Sequence, residues 1–87
     1  MRTIVKLKSF EKSFNKLSDQ DRIATIETID LFLSNPKDVS LRNHKLVGNL
    51  KGHFALKAGY DLRIIYRFES NKLVVVFVTV GKHGDVY

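Results

Sequence analysis

Eighty-seven residues with 44% hydrophobic content suit one domain with a single core, near the small end of what folds alone, and argue against disorder. The chain has no cysteine, which removes a disulfide scaffold, a thiol nucleophile and a Cys-based zinc site, and no segment nears the roughly 20 apolar residues that span a bilayer. Fifteen Lys and Arg against nine Asp and Glu leave a net charge of +6, which points to a polyanionic partner (nucleic acid, an acidic protein or a membrane surface) or else serves solubility alone.

Met1-Arg2-Thr3-Ile4-Val5-Lys6 carries charge within its short apolar run and lacks a signal-peptide core, so the expected location is the cytoplasm. Thr3 to Lys8 suits a short edge strand with Val5 and Leu7 facing the core and lysines discouraging edge-to-edge pairing. Ser9 can cap a helix in which Phe10, Phe14 and Leu17 form one apolar stripe. Ser18-Asp19-Gln20-Asp21 breaks that helix and starts another, with carboxylates near its positive end. Ile23, Ile26, Ile29 (or Asp30) and Leu33 continue a helical period to Asn35, and Pro36 stops it. The resulting helical hairpin needs a cover for its apolar face.

Pro36 to Lys51 reads as a connector in which Leu41, Leu46 and Leu50 tuck against the core, and Gly48 and Gly52 suit tight turns. Three strands follow, Phe54–Ala58, Asp61–Phe68 and Leu73–Val80, separated by turns too short for anything but an antiparallel meander. Leu62, Ile64, Tyr66 and Phe68 share one face of the middle strand, and Arg63, Ile65 and Arg67 the other. The nearly all-apolar last strand belongs inside a sheet. The fold class is α+β in the order β-α-α-β-β-β: a small antiparallel sheet, one face covered by the N-terminal helical hairpin, in a single domain over residues 1–87.

No phosphate loop, G-x-S-x-G, H-E-x-x-H or calcium loop is present, and the three histidines are not paired for a metal, so no metal and no cofactor is expected. What remains is a set of protonatable and cationic groups in the second half: His44, His53, Lys57, Asp61, Arg63, Arg67, Lys82, His83, Asp85 and Tyr87. RNA can be cut without a metal when its 2′-hydroxyl attacks the adjacent phosphate. That reaction needs a base, an acid for the departing 5′-oxygen and a cation for the phosphorane. Histidine suits the first two roles near neutral pH and arginine the third.

Lys45-Leu46-x-Gly48, then Gly59-Tyr60-x-x-Arg63-Ile64-Ile65-Tyr66, then Val74 to Val78 and Val80-Gly81-Lys82 resemble the RelE/ParE superfamily of bacterial toxins. The His44-x-Leu46-x-Gly48 element, Asp61 and Gly81-x-His83 are most similar to the YafQ branch, and the likeness spans essentially the whole chain. It implies a ribosome-dependent mRNA interferase (an endoribonuclease, and so a hydrolase, whose action arrests growth) held inactive by a cognate antitoxin in a hetero-oligomer. Its partners would be mRNA on the ribosome, with 16S rRNA contacts, and no membrane. Position by position, the resemblance makes Arg63 the phosphate-stabilising arginine, His83 the general acid and Tyr87 the terminal aromatic that stacks on a base or orients the phosphate. The general base is left among His44, Asp61 and Lys57, with His44 preferred. Lys51, Lys57, Arg67 and Lys82 are the remaining candidate RNA contacts.

The chain also departs from its relatives. The two second-strand lysines of the RelE branch align with Phe54 and Leu56, with Lys57 one place away. Lys57 aligns with a second YafQ-type histidine, and Thr79 with that branch's last-strand arginine. A ParE-like gyrase inhibitor without nuclease chemistry, or a non-catalytic antitoxin-binding module, are the alternatives.

Overall fold

The structure, a computed structural model, describes residues 3–87; Met1 and Arg2, where the charged N-terminal run begins, lie outside the described residues. The elements are β1 (Thr3–Lys6), α1 (Lys8–Asn15), α2 (Asp19–Ser34), β2 (His44–Lys45), β3 (His53–Lys57), β4 (Leu62–Glu69), β5 (Val74–Lys82) and α3 (His83–Val86). The expected order is present, with four additions: two 3-10 turns (Val39–Leu41 and Gly48–Leu50) and a two-residue strand inside the connector, and a single helical turn after the last strand. The sheet runs β1-β5-β4-β3-β2. The meander is antiparallel, but β1 lies parallel to β5, Thr3 beside Val74 through Lys6 beside Phe77, so the sheet is mixed. A parallel pair needs a long crossover, and the chain between β1 and β5 supplies one.

The helices cover the face that carries Leu56, Leu62, Ile64, Tyr66, Val75 and Phe77, with Phe10, Ile29, Phe32 and Leu41 packed on it. Ser18 caps α2 by accepting the Asp21 N–H at 3.2 Å, and the helix ends at Ser34, just ahead of Pro36, as the sequence signals require. The buried face of α2 is rotated from the expected stripe. Ile29 (8% exposed), Phe32 and Thr25 (0%) point inward, while Ile23 (58%), Ile26 (50%) and Leu33 are exposed. Phe32 decides the rotation: its ring lies 4.8 Å from that of Tyr66 and meets Phe77 edge-on at 6.4 Å. Thr25 can be buried because its hydroxyl donates to the Asp21 carbonyl at 2.8 Å within the helix.

β1 also faces the other way from expectation, since Ile4 packs against the core and Val5 is exposed. Ser9 is not a cap. Helix α1 begins at Lys8 after Leu7 with no side-chain cap, and the Ser9 hydroxyl donates to the Val78 carbonyl at 2.6 Å. The reason lies in the sheet edge. The β1–β5 pairing ends with Leu7 N–H on the Phe77 carbonyl at 3.0 Å, leaving the rest of the β5 edge without a strand. Ser9 and Ser13, one turn apart on α1, satisfy that edge, with Ser13 Oγ accepting the Val80 N–H at 3.1 Å.

The β4–β5 ladder contains a bulge. Ile65 pairs with Thr79 and Tyr66 with Phe77, so Val78 is the extra residue. An added residue reverses which side chains face the core beyond it. Phe77 and Val80 therefore both pack inward, and Gly81 falls on the opposite face, directly beside Arg63.

Candidate functional site

On the face away from the helices, the register aligns Lys57, Arg63 and Gly81 in one row across β3, β4 and β5, and His44, Ala55, Ile65 and Thr79 in the next. β3 pairs with β4 without a bulge, so Phe54 and Leu56 face the helices while Lys57 stands on the Arg63 side. Lys57 thus reaches the open face directly, with no shift of register.

His44 is placed by the connector. Asp38 Oδ1 accepts the Ser40 N–H at 2.9 Å and the Ser40 hydroxyl at 2.6 Å, and these bonds hold its carboxyl below the usual carboxylate range. Leu41 is buried, Arg42 turns the chain through a left-handed conformation (φ 49°), and the Tyr66 hydroxyl donates to Asn43 Oδ1 at 2.8 Å. A buried core tyrosine therefore fixes the residue next to His44. The His44 ring has Nδ1 2.9 Å from the Arg42 carbonyl, which can only accept. Nδ1 must carry the proton in that contact, and in the neutral ring Nε2 keeps its lone pair.

His83 opens α3. Its backbone N–H donates to the Asp61 carbonyl at 2.9 Å, and its ring meets Tyr87 edge-on with centroids 4.3 Å apart. Gly81 lets α3 fold back over the strand, because a Cβ there would lie 3.3 Å from Val86 Cγ1. Burial raises the Tyr87 phenol above its ordinary value, partly countered by the positive charge of Arg63. Arg63 Nη1 donates to the Gly59 and Leu62 carbonyls at 3.2 and 3.1 Å, which leaves Nε and Nη2 without a partner among the described residues. Those two nitrogens form the side-on fork that suits a carboxylate or a phosphate.

Two of the three histidines meet at one place. His44, His83 and Tyr87 line a cavity of about 510 Å³, with Lys45, Leu46, Val47, Asn49 and Leu50 forming the rest of its wall. Of the expected set, Lys57, Asp61 and Arg63 are not among the lining residues; Asp61 contributes its backbone carbonyl to His83, and Arg63 stands near enough for its charge to act on the Tyr87 phenol. Arg67 lies toward the other end of β4, opposite His53, in an ion pair with Glu69 at 2.9 Å. Four residues along a strand put it ~13 Å from Arg63. Lys82 turns to the helical side, 3.5 Å from Asp21 Oδ2, and Lys51 lines a different cavity. His53 has a buried Nδ1 with no hydrogen-bond partner among the described residues. Lys45 and Asn49 are wall residues that the sequence reading missed. Their place beside His44 and between Gly48 and Gly52 was the available signal. Among the described residues no cluster of His, Asp and Glu is arranged for a metal ion, and no helix is long and apolar enough to cross a membrane.

A helical hairpin packed on one face of a five-stranded mixed sheet matches the fold of the RelE-like toxins. The family model described as the bacterial toxin of type II toxin-antitoxin system, YafQ, matches residues 2–87, and the chain belongs to that family. The fold is similar to that of YafQ from E. coli strain BL21(DE3), at a TM-score of 0.84 and 19% identity, covering 100% of this chain and 99% of that one. It is also similar to chains of the toxin-antitoxin complex RelBE2 from Mycobacterium tuberculosis (TM-score 0.74, 22% identity, 93% and 96% covered) and of the E. coli DinJ-YafQ complex (0.74, 19%, 100% and 99%). No curated protein sequence matches the chain.

Proposed function

We propose that this toxin is a ribosome-dependent mRNA endonuclease that works by acid–base attack of the 2′-hydroxyl on the adjacent phosphate. The observation that carries this reading is the meeting of His44 and His83, from a connector and from the segment after the last strand, on one cavity with Tyr87. His44 Nε2 takes the 2′-hydroxyl proton, the 2′-oxygen bonds to phosphorus, and the bond to the 5′-oxygen breaks. His83 gives that oxygen a proton. Arg63 supports the extra negative charge through Nε and Nη2, with Lys57 beside it in the same row. Tyr87, a neutral phenol whose pKa burial pushes further up, donates to the phosphate or stacks on a base. His44 is preferred over Asp61 as the base because it has a free ring nitrogen and a place on the cavity wall.

The reading extends to partners. Two of the similar structures are complexes, RelBE2 and DinJ-YafQ. By that likeness, a cognate antitoxin binds this toxin in the cytoplasm and holds it inactive as a hetero-oligomer. A basic face suits an acidic amphipathic segment that folds as it binds. Outside that complex the toxin meets mRNA and 16S rRNA on the ribosome.

The chemistry fixes the product ends. Fragments from a translated message cut by the protein carry a 2′,3′-cyclic phosphate and a 5′-hydroxyl, so the downstream fragment is labelled by polynucleotide kinase without prior phosphatase. A downstream fragment ending in 5′-phosphate would contradict the mechanism.

A further inference from the structure

The segment Lys45–Val47 walls the histidine cavity on one side and a second cavity, of about 490 Å³, on the other. That volume lies within the range of small-ligand sites, roughly 300–1,000 Å³. Its apolar surface comes from Val47, Phe54 and Phe68, the two rings meeting edge-on at 5.6 Å, and its charge from Lys45, Lys51 and Lys72. None of these lysines forms an ion pair among the described residues, and no carboxylate lines the cavity. Glu69, close by in sequence, is held by Arg67. Lys72 is the last of three successive left-handed residues, after Ser70 and Asn71, with φ of 70°, a conformation that a lysine rarely adopts. The turn takes that strained course and still ends with Lys72 on the cavity wall.

We propose that this cavity is a second nucleotide subsite for the same single-stranded RNA, holding a base against Phe54 and Phe68 and a phosphate among Lys45, Lys51 and Lys72. It rests on the RNA-cutting reading for its ligand. A base offers a π-face to aromatic rings and its phosphate offers charge to lysines, and this cavity provides both in one place. The shared wall makes it adjacent to the histidine cavity, so a strand lying in one reaches the other by crossing Lys45–Val47. Lys51, expected from the sequence as an RNA contact, then acts here and not beside His83.

The test is an NMR titration of the free toxin with a tetraribonucleotide that carries 2′-O-methyl groups and cannot be cut. Signals of Val47 and Gly52 shift together with those of His83 and Tyr87. In Lys51→Ala/Lys72→Ala the first group stops shifting, the dissociation constant rises about tenfold, and the salt dependence becomes shallower. Shifts confined to His83 and Tyr87, no shift at all with wild type, or unchanged affinity in the double variant would overturn the proposal. So would a cavity that answers only to an acidic peptide, which would make it a protein-docking site. Because the oligonucleotide cannot be cut, binding is read apart from cleavage, and a toxin that binds it in both cavities yet leaves a translated message intact would sink the nuclease reading alone.

Discussion

His44 and His83 are brought to the same cavity by different hydrogen bonds, one made by backbone and one by neighbouring side chains. His83 is tied to the Asp61 carbonyl, and His44 follows Asn43, which the Tyr66 hydroxyl holds. Tyr66→Phe removes that donor and leaves the Asn43 amide short of a partner. The expected cost is about 1 kcal/mol of stability, together with a larger fall in RNA cutting than a thermally matched core variant shows, measured by denaturant unfolding and a cleavage assay. Tyr87 offers a second check. Its phenol lies above the ordinary value of 10.0 because burial outweighs the Arg63 charge. A raised value stabilises the fold below the unfolded tyrosine pKa, and that contribution disappears as pH climbs through the folded one. Arg63→Ala deletes the charge that favours phenolate, so the Tyr87 midpoint moves further up. A ring-carbon NMR titration that moved down would contradict the placement of Arg63 beside Tyr87.

At the scale of elements, the rotation of α2 is the most direct test of the packing. Ile29→Ala costs about 2–5 kcal/mol, whereas Ile26→Ala, on the exposed side, stays within about 1 kcal/mol; equal losses would restore the stripe expected from the sequence. Ser13→Ala strips the Val80 N–H at the uncovered β5 edge and costs about 1–3 kcal/mol in the same unfolding measurement. These elements also show what the sequence could and could not reveal. The two faces of β4 were legible because strict alternation separates Arg63 and Arg67 from Leu62, Ile64 and Tyr66. The α2 face was not, because its isoleucines and leucines fall on both sides and the choice is made by Phe32 against Tyr66 and Phe77. The bulge at Val78 left no trace in a run of valines, yet it puts Gly81 beside Arg63. The parallel β1–β5 pair escaped notice too, since edge pairing depends on partners far away in the chain. Of the site, the residue types and the ends of the strands were readable. The separation of Arg67, Lys51 and Lys82 from the histidines was not, because it depends on where each side chain goes after leaving the sheet.

Across the whole molecule, charge is unevenly distributed. Helix α2 holds Asp19, Asp21, Glu27 and Asp30 against Arg22 alone, and so carries the opposite sign to a chain of net charge +6. The remaining excess positive charge therefore lies outside that helix, and Lys57, Arg63 and Arg67 stand on the face of the sheet away from the helices. Such a division orients the molecule toward a polyanion through its sheet face. On the proposed function, this face cuts translated mRNA. The most direct measurement is a primer-extension map of a translated reporter message after brief induction of wild type, His83→Ala and Arg63→Ala. Wild type is expected to give cuts at codon-related positions that are lost in both variants. Growth arrest with the message intact would contradict it and turn attention to DNA gyrase as the target.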